Sequence, residues 1–154
     1  MNPIAVFESI RLGLVGTPLS LLWRGHGSAI FLEFGKLTTN GKRRNGSERN
    51  PIGEFSIGIG WSWRLEDERS IVAGSLSEEG DWDRAFNCIR NARLTAVRTY
   101  SRLPELELEF DNRHHLLSFR TSDGQPDWFI IDTRSKEPMT LIVDNGQLAI
   151  ETNL

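Results

Sequence analysis

One hydrophobic pattern is written twice along this chain, and that repetition limits the architectures open to it more than any other feature. Leu19 to Trp23, a glycine-rich turn and Ala29 to Gly35 are answered by Leu94 to Arg98, a turn and Glu105 to Asp111. Leu19 falls on Leu94, and Ile30, Leu32, Glu33 and Phe34 fall on Leu106, Leu108, Glu109 and Phe110. Upstream, Phe7, Ile10 and Leu14 share the spacing of Trp82, Ala85 and Ile89, the i, i+3, i+7 spacing of one helix face. Downstream, Phe55 and Ile57 parallel Trp128 and Ile130, and the strands around Trp63–Leu65 and Ile71–Val72 parallel those around Leu141–Val143 and Leu148–Ile150.

The expected fold is mainly β (α+β). Antiparallel sheets come from two pseudo-symmetric halves, each opening with a short helix, and close on one core as a sandwich or barrel. The halves run at about 4–75 and 81–152, with the joint over Ser75 to Gly80, inside a single domain spanning 1–154. A half of that size buries too little apolar surface to stand alone, so the two are expected to fold together.

Leu106, Leu108 and Phe110 alternate with Glu105, Glu107 and Glu109, which predicts a strand with one face in the core and a carboxylate face in water. Asn145-Gly146 between two apolar runs predicts a hairpin over about 140–151. Asp111-Asn112 predicts another, with His114 to Arg120 as its return strand. Phe55, Ile57, Ile59, Trp61, Trp63 and Leu65 occupy alternate positions, with glycine or serine at most places between. Glycine inside such a run marks a bend, expected near Gly60. The second helix is expected to be capped by Asp81 or Asp83, and Thr38 to Pro51, polar and charged, to be a mobile loop.

A net charge of -3 removes the basic field that nucleic-acid binding needs. Cys88 is the only cysteine, which excludes an internal disulfide, and no apolar run is long enough to cross a bilayer. With no basic, then apolar, start to direct secretion, the expected location is the cytoplasm.

Chemistry is sparse. His26, His114, His115 and Cys88 lack metal-ligand spacing, and no cofactor is implied. Arg24 to Ser28 is followed by a strand instead of the helix of a phosphate loop, so it reads as a turn. Trp61, Trp63 and Trp128 fall at core positions. The surface candidates for partner contact are Glu105, Glu107 and Glu109 on one strand face, Phe31 on the matching solvent face of the first copy, which also carries Ala29 and Glu33, and Arg43 and Arg44 in the 38–51 loop.

The doubled pattern, with Ile30 to Gly35 or Leu106 to Asp111 and then Phe55 or Trp128 followed by isoleucine, resembles small bacterial duplicated β-domain proteins of unknown function. Some of these are grouped with polymorphic-toxin immunity proteins. The resemblance implies a cytoplasmic protein that works by binding another protein and transfers no site residue. The residues themselves point to a non-enzymatic protein-binding module, possible in an immunity or accessory role, because no base, nucleophile and oxyanion donors converge. The alternative is a small-ligand-binding β-barrel or sandwich with an aromatic-lined pocket. A hydrolase using His26 or His114 is the third reading.

Overall fold

The computed structural model describes residues 2–124 and 127–151; residue 152, the expected end of the second half, lies outside them. In chain order the elements are α1 (Pro3–Leu14), β1 (Leu19–Arg24), β2 (Ile30–Phe34), β3 (Phe55–Ile59), β4 (Trp63–Glu66), β5 (Ile71–Gly74), α2 (Glu79–Ile89), β6 (Leu94–Tyr100), β7 (Glu105–Phe110), β8 (His115–Ser118), β9 (Trp128–Asp132), β10 (Met139–Asp144) and β11 (Gln147–Glu151). The strands form two antiparallel sheets, one ordered β1-β2-β3-β9-β10-β11 and the other β5-β4-β8-β7-β6. The protein is mainly β, and the sheets do not close into a barrel: β1 and β11 remain edges of the first, β5 and β6 of the second. Inward residues of both sheets, such as Leu32, Ile57 and Ile130 from one and Leu65, Leu108 and Leu116 from the other, belong to one hydrophobic core.

The two helices lie where those edges would open the core. α1 buries Val6, Phe7, Ile10 and Leu14 and packs on β6 of one sheet and on β10 and β11 of the other. α2 buries Trp82, Ala85, Phe86 and Ile89 and packs on β5. Arg24, at the end of β1, reaches α2 with its Nη2 3.1 Å from Glu79 Oε1 and its guanidinium 4.2 Å from the centre of the Trp82 ring. Asn2 caps α1 by accepting from the Ile4 amide at 2.9 Å. The expected aspartate cap of α2 is not found: the helix starts earlier, at Glu79, and Glu78 at the N-cap position makes no side-chain cap. Glu79 and Asp81 therefore lie inside the first turn, where a carboxylate still complements the helix dipole.

The bend anticipated near Gly60 is a change of sheet. β3 ends at Ile59 in the six-stranded sheet, and β4 begins at Trp63 in the other. Packed sheets stand ~10 Å apart, a gap that three extended residues can cross. The crossing breaks the alternation, so Trp61 is 48% exposed, which corrects its placement in the core. Trp63 is fully buried, and its Nε1 donates to the Ser28 carbonyl in the β1–β2 turn at 2.8 Å. The chain returns between β8 and β9, and Trp128, the first residue of β9, is also buried. Its Nε1 donates to the Pro104 carbonyl in the β6–β7 turn at 3.0 Å.

The sheets also meet where residues 17–19 run antiparallel to 92–94. Leu19 donates to the Ala92 carbonyl at 2.8 Å, Leu94 donates to the Thr17 carbonyl at 3.1 Å, and Pro18 bridges Arg93. The C-terminal hairpin forms as predicted, with Asn145 and Gly146 at φ 49 and 74. In the β7–β8 hairpin the left-handed residue is Arg113, at φ 66, and the return strand is only His115–Ser118. The 38–51 segment is drawn into a hairpin-like excursion by the bridges Thr38 to Ile52 and Lys42 to Glu48.

Candidate functional site

The outward residues of the five-stranded sheet form two cross-strand rows. Ala96, Glu109, His115, Glu66 and Ile71 stand side by side in one; Arg98, Glu107, Leu117, Arg64 and Gly74 in the other. Polar side chains pair over this face. Across β6 and β7, Arg98 Nη2 lies 2.7 Å from Glu109 Oε2; across β7 and β8, His115 Nδ1 lies 3.0 Å from Glu107 Oε1; and along β4, Arg64 Nε lies 2.7 Å from Glu66 Oε2. At one end the face deepens into a cleft of about 660 Å³ between the β4–β5 and β7–β8 turns. Glu66, Asp67, Glu68, Glu107, Glu109 and Asp111 contribute six carboxylates to its lining, against Arg113 and His115.

The turns that shape this cleft are held locally. Asp67 Oδ1 accepts from the amides of Arg69 and Ser70 at 2.8 and 2.7 Å, and these bonds hold its carboxyl below the usual carboxylate range. Arg113 of the β7–β8 turn pairs with Glu68 of the β4–β5 turn at 2.9 Å, linking the two rims through exposed side chains. The cleft is acidic, open and built from two separate segments of chain.

Of the six surface candidates, only Glu107 and Glu109 line this cleft, and His115, set aside as a metal ligand, lines it too. Glu105 does not share their exposure, which corrects the expectation of three solvated carboxylates: it is 7% exposed, and its Oε2 accepts from the Arg120 amide at 2.6 Å. Burial pushes its carboxyl above the usual range, partly offset by Arg120, whose Nη1 also lies 2.7 Å from Asp127 Oδ1. Arg43 is spent on its own excursion, donating to the Glu48 carbonyl at 2.5 Å, while Arg44 beside it is exposed. His26 lies exposed in the β1–β2 turn, apart from His114 in the β7–β8 turn.

Phe31 lies on the outer face of the other sheet, in a row comprising Trp23, Phe31, Gly58, Phe129, Ile142 and Ala149. It is half-buried because Trp23 stacks on it at 4.2 Å between ring centres, with Phe129 6.2 Å away on the other side. Gly58 makes this possible: a Cβ there would stand 2.3 Å from the Phe129 ring. The six candidates thus fall on separate surfaces. Glu66, Asp67, Glu68 and Asp111 are not among the sequence candidates, and the one signal that could have found them is the run of three acidic residues at 66–68.

Glu33, expected in water beside Phe31, is 4% exposed. Its carboxylate accepts from Ser56 Oγ at 2.5 and 2.8 Å and from the Gly53 amide at 3.4 Å, so it ties the base of the 38–51 excursion to β2 and β3. Burial raises its carboxyl above the usual range despite those bonds. A raised carboxyl binds its proton more tightly in the folded than in the unfolded protein. Its contribution to stability is therefore fully present below the unfolded carboxylate range and is lost as pH rises through the folded value. Glu33→Gln, which keeps an acceptor and removes the charge, is expected to be more resistant to urea than the parent at neutral and higher pH. The advantage should fade as pH falls below the carboxylate range. Urea midpoints of both proteins across that interval check this, and a pH-independent difference would count against it.

No protein-family model, curated protein or solved structure matches this chain. No helix among the described residues is long and apolar enough to cross a membrane.

Proposed function

We propose that this protein is a non-enzymatic protein-binding module, of an accessory or immunity kind, that receives a cationic segment of another protein in the acidic cleft of its five-stranded sheet. The observation that carries this reading is the convergence of six carboxylates from two separate turns and two strands on one open cleft of about 660 Å³. A cleft lined by one sign of charge concentrates the opposite charge and speeds encounter with it. Its openness suits an extended Lys/Arg-rich segment, and although Arg64, Arg98 and Arg113 each pair with one of its carboxylates, the six acidic side chains outnumber them and leave the cleft negative.

The scaffold of this reading is a duplicated unit of one helix followed by strands, the second copy carrying one strand more. Several features support it. Pro18 bridges Arg93, its own counterpart in the repeat, as a two-fold axis between the copies would require. Gly16 and Asn91, also counterparts, both have positive φ just beyond α1 and α2. Trp63 and Trp128 each open the strand that follows a change of sheet, and each donates to the turn between the first two strands of its copy. In this correspondence Trp63, and not Phe55, is the partner of Trp128.

The test is capture from native lysate with the parent chain and with Glu68→Lys/Asp111→Lys, two exposed substitutions that remove most of the cleft's negative charge without touching the core. The parent is expected to retain a basic protein that the variant releases, and the retained complex should weaken with added salt. The same set of proteins on both, or specific retention of a small molecule alone, rejects the reading. The aromatic-pocket alternative ranks below it: Trp63 and Trp128 are fully buried in the packed core with their indole N–H groups bound.

A further inference from the structure

We infer that the solvent side of α1 is a self-association surface, on which the helix pairs antiparallel with α1 of a second copy of this chain. The helix buries Val6, Phe7, Ile10 and Leu14, yet its opposite side is also apolar: Ile4 is 66% exposed, Leu12 70%, and Val15, just past its end, 41%. A helix with apolar residues on both sides has a second face left to cover. Between Ile4 and Val15 stand Glu8 and Arg11, paired with each other at 2.7 Å.

Positions 4, 8, 11 and 15 follow the 4-3-4 spacing of a helix–helix seam. This seam is its own complement. Turned about a two-fold axis midway between Glu8 and Arg11, it sets Ile4 against Val15 of the second copy, and Glu8 against Arg11. The apolar ends then meet apolar ends and each central charge meets its opposite, at both positions at once. Such self-complementarity is what a two-fold contact demands of one surface, and it selects a second copy over an unrelated partner. Leu12 falls on the flank that also carries Ala5 and Ser9.

A helix of 12 residues is only ~18 Å long, so the contact is small and the dimer weak, in the micromolar to millimolar range. Sedimentation velocity of the full chain, from low micromolar to near-millimolar protein, is expected to show the mass rising from 17.5 kDa towards twice that value. Glu8→Arg and Arg11→Glu each set like charges opposite one another and should weaken the dimer by roughly tenfold or more, and Leu12→Glu should do likewise. The combined Glu8→Arg/Arg11→Glu variant exchanges the charges and should recover it. None of the three substituted positions, 8, 11 and 12, is buried, so thermal melts should stay close to the parent and separate loss of pairing from loss of fold. A constant 17.5 kDa at every concentration overturns the inference. So does a dimer indifferent to the single charge reversals, or a double variant no better than the singles.

Discussion

Divided between Ser75 and Glu79, the chain should yield two polypeptides neither of which folds alone. The division lies in the turn before α2, at a surface position, and cuts no strand. What it removes is the middle of both sheets. β3 from the first part pairs along its whole length with β9 from the second, Phe55 to Asp132 through Ile59 to Trp128. β4 pairs with β8, Trp63 to Ser118 through Glu66 to His115. Each isolated part would expose two strands that the intact chain holds at the centre of a sheet, with their backbone groups unpaired and their apolar faces uncovered. The core is equally indivisible, since the residues it joins come from both parts. Far-UV circular dichroism and amide-proton dispersion should show each part unfolded or aggregated, and mixing the two should restore the near-UV signal of the buried tryptophans. Two soluble parts that each melt cooperatively would contradict the pairing.

The second large effect concerns Trp63. Its ring is fully buried, 5.3 Å from Trp82 edge-on and 5.7 Å from Phe86, so it fixes α2 to the five-stranded sheet at the point where the chain changes sheets. Trp63→Ala removes those contacts and leaves a cavity, which costs about 3–5 kcal/mol for large aromatic residues in cores. It also strips the Ser28 carbonyl of its donor, a loss of about 1 kcal/mol. Against a total stability of about 5–15 kcal/mol for an ordinary domain, the variant should be marginal or unfolded at room temperature. Trp63→Phe retains much of the ring and should lose far less, so the pair separates packing from the hydrogen bond. Urea midpoints measure both. A Trp63→Ala protein within about 1 kcal/mol of the parent would show that the aromatic cluster does not hold the helix in place.

Much of the local structure was legible because it depends on neighbours in sequence. Glu105 to Phe110 alternates and forms β7, Asn145-Gly146 turns the last hairpin, and both helix faces were found at the spacing of Ile10 to Leu14 and Trp82 to Ile89. The failures share a cause. Trp61 falls inside only if alternation continues through Gly60 to Ser62, and there the chain leaves one sheet for the other and the parity of faces is lost. Glu105 and Glu33 fall in water only if a strand's outer face is equated with its exposed face. Arg120 covers the one, and Ser56 with the Gly53 amide engages the other. The acidic cleft was only half visible: Glu107 and Glu109 came from one strand, but Asp67 and Glu68 arrive from a turn about 40 residues earlier in the chain.

Period-two alternation, turn residues and helical spacing are properties of short stretches, and they decided on their own that this chain would be strand-rich, with two helices and a core divided between both ends of the sequence. Which sheet each strand joins was settled only in three dimensions. Alternation tells a strand that it has two faces and says nothing about its neighbour. The pairing of β3 with β9 and of β4 with β8 therefore depended on covering both greasy faces at once, and that pairing gathered the carboxylates of two distant turns into one cleft.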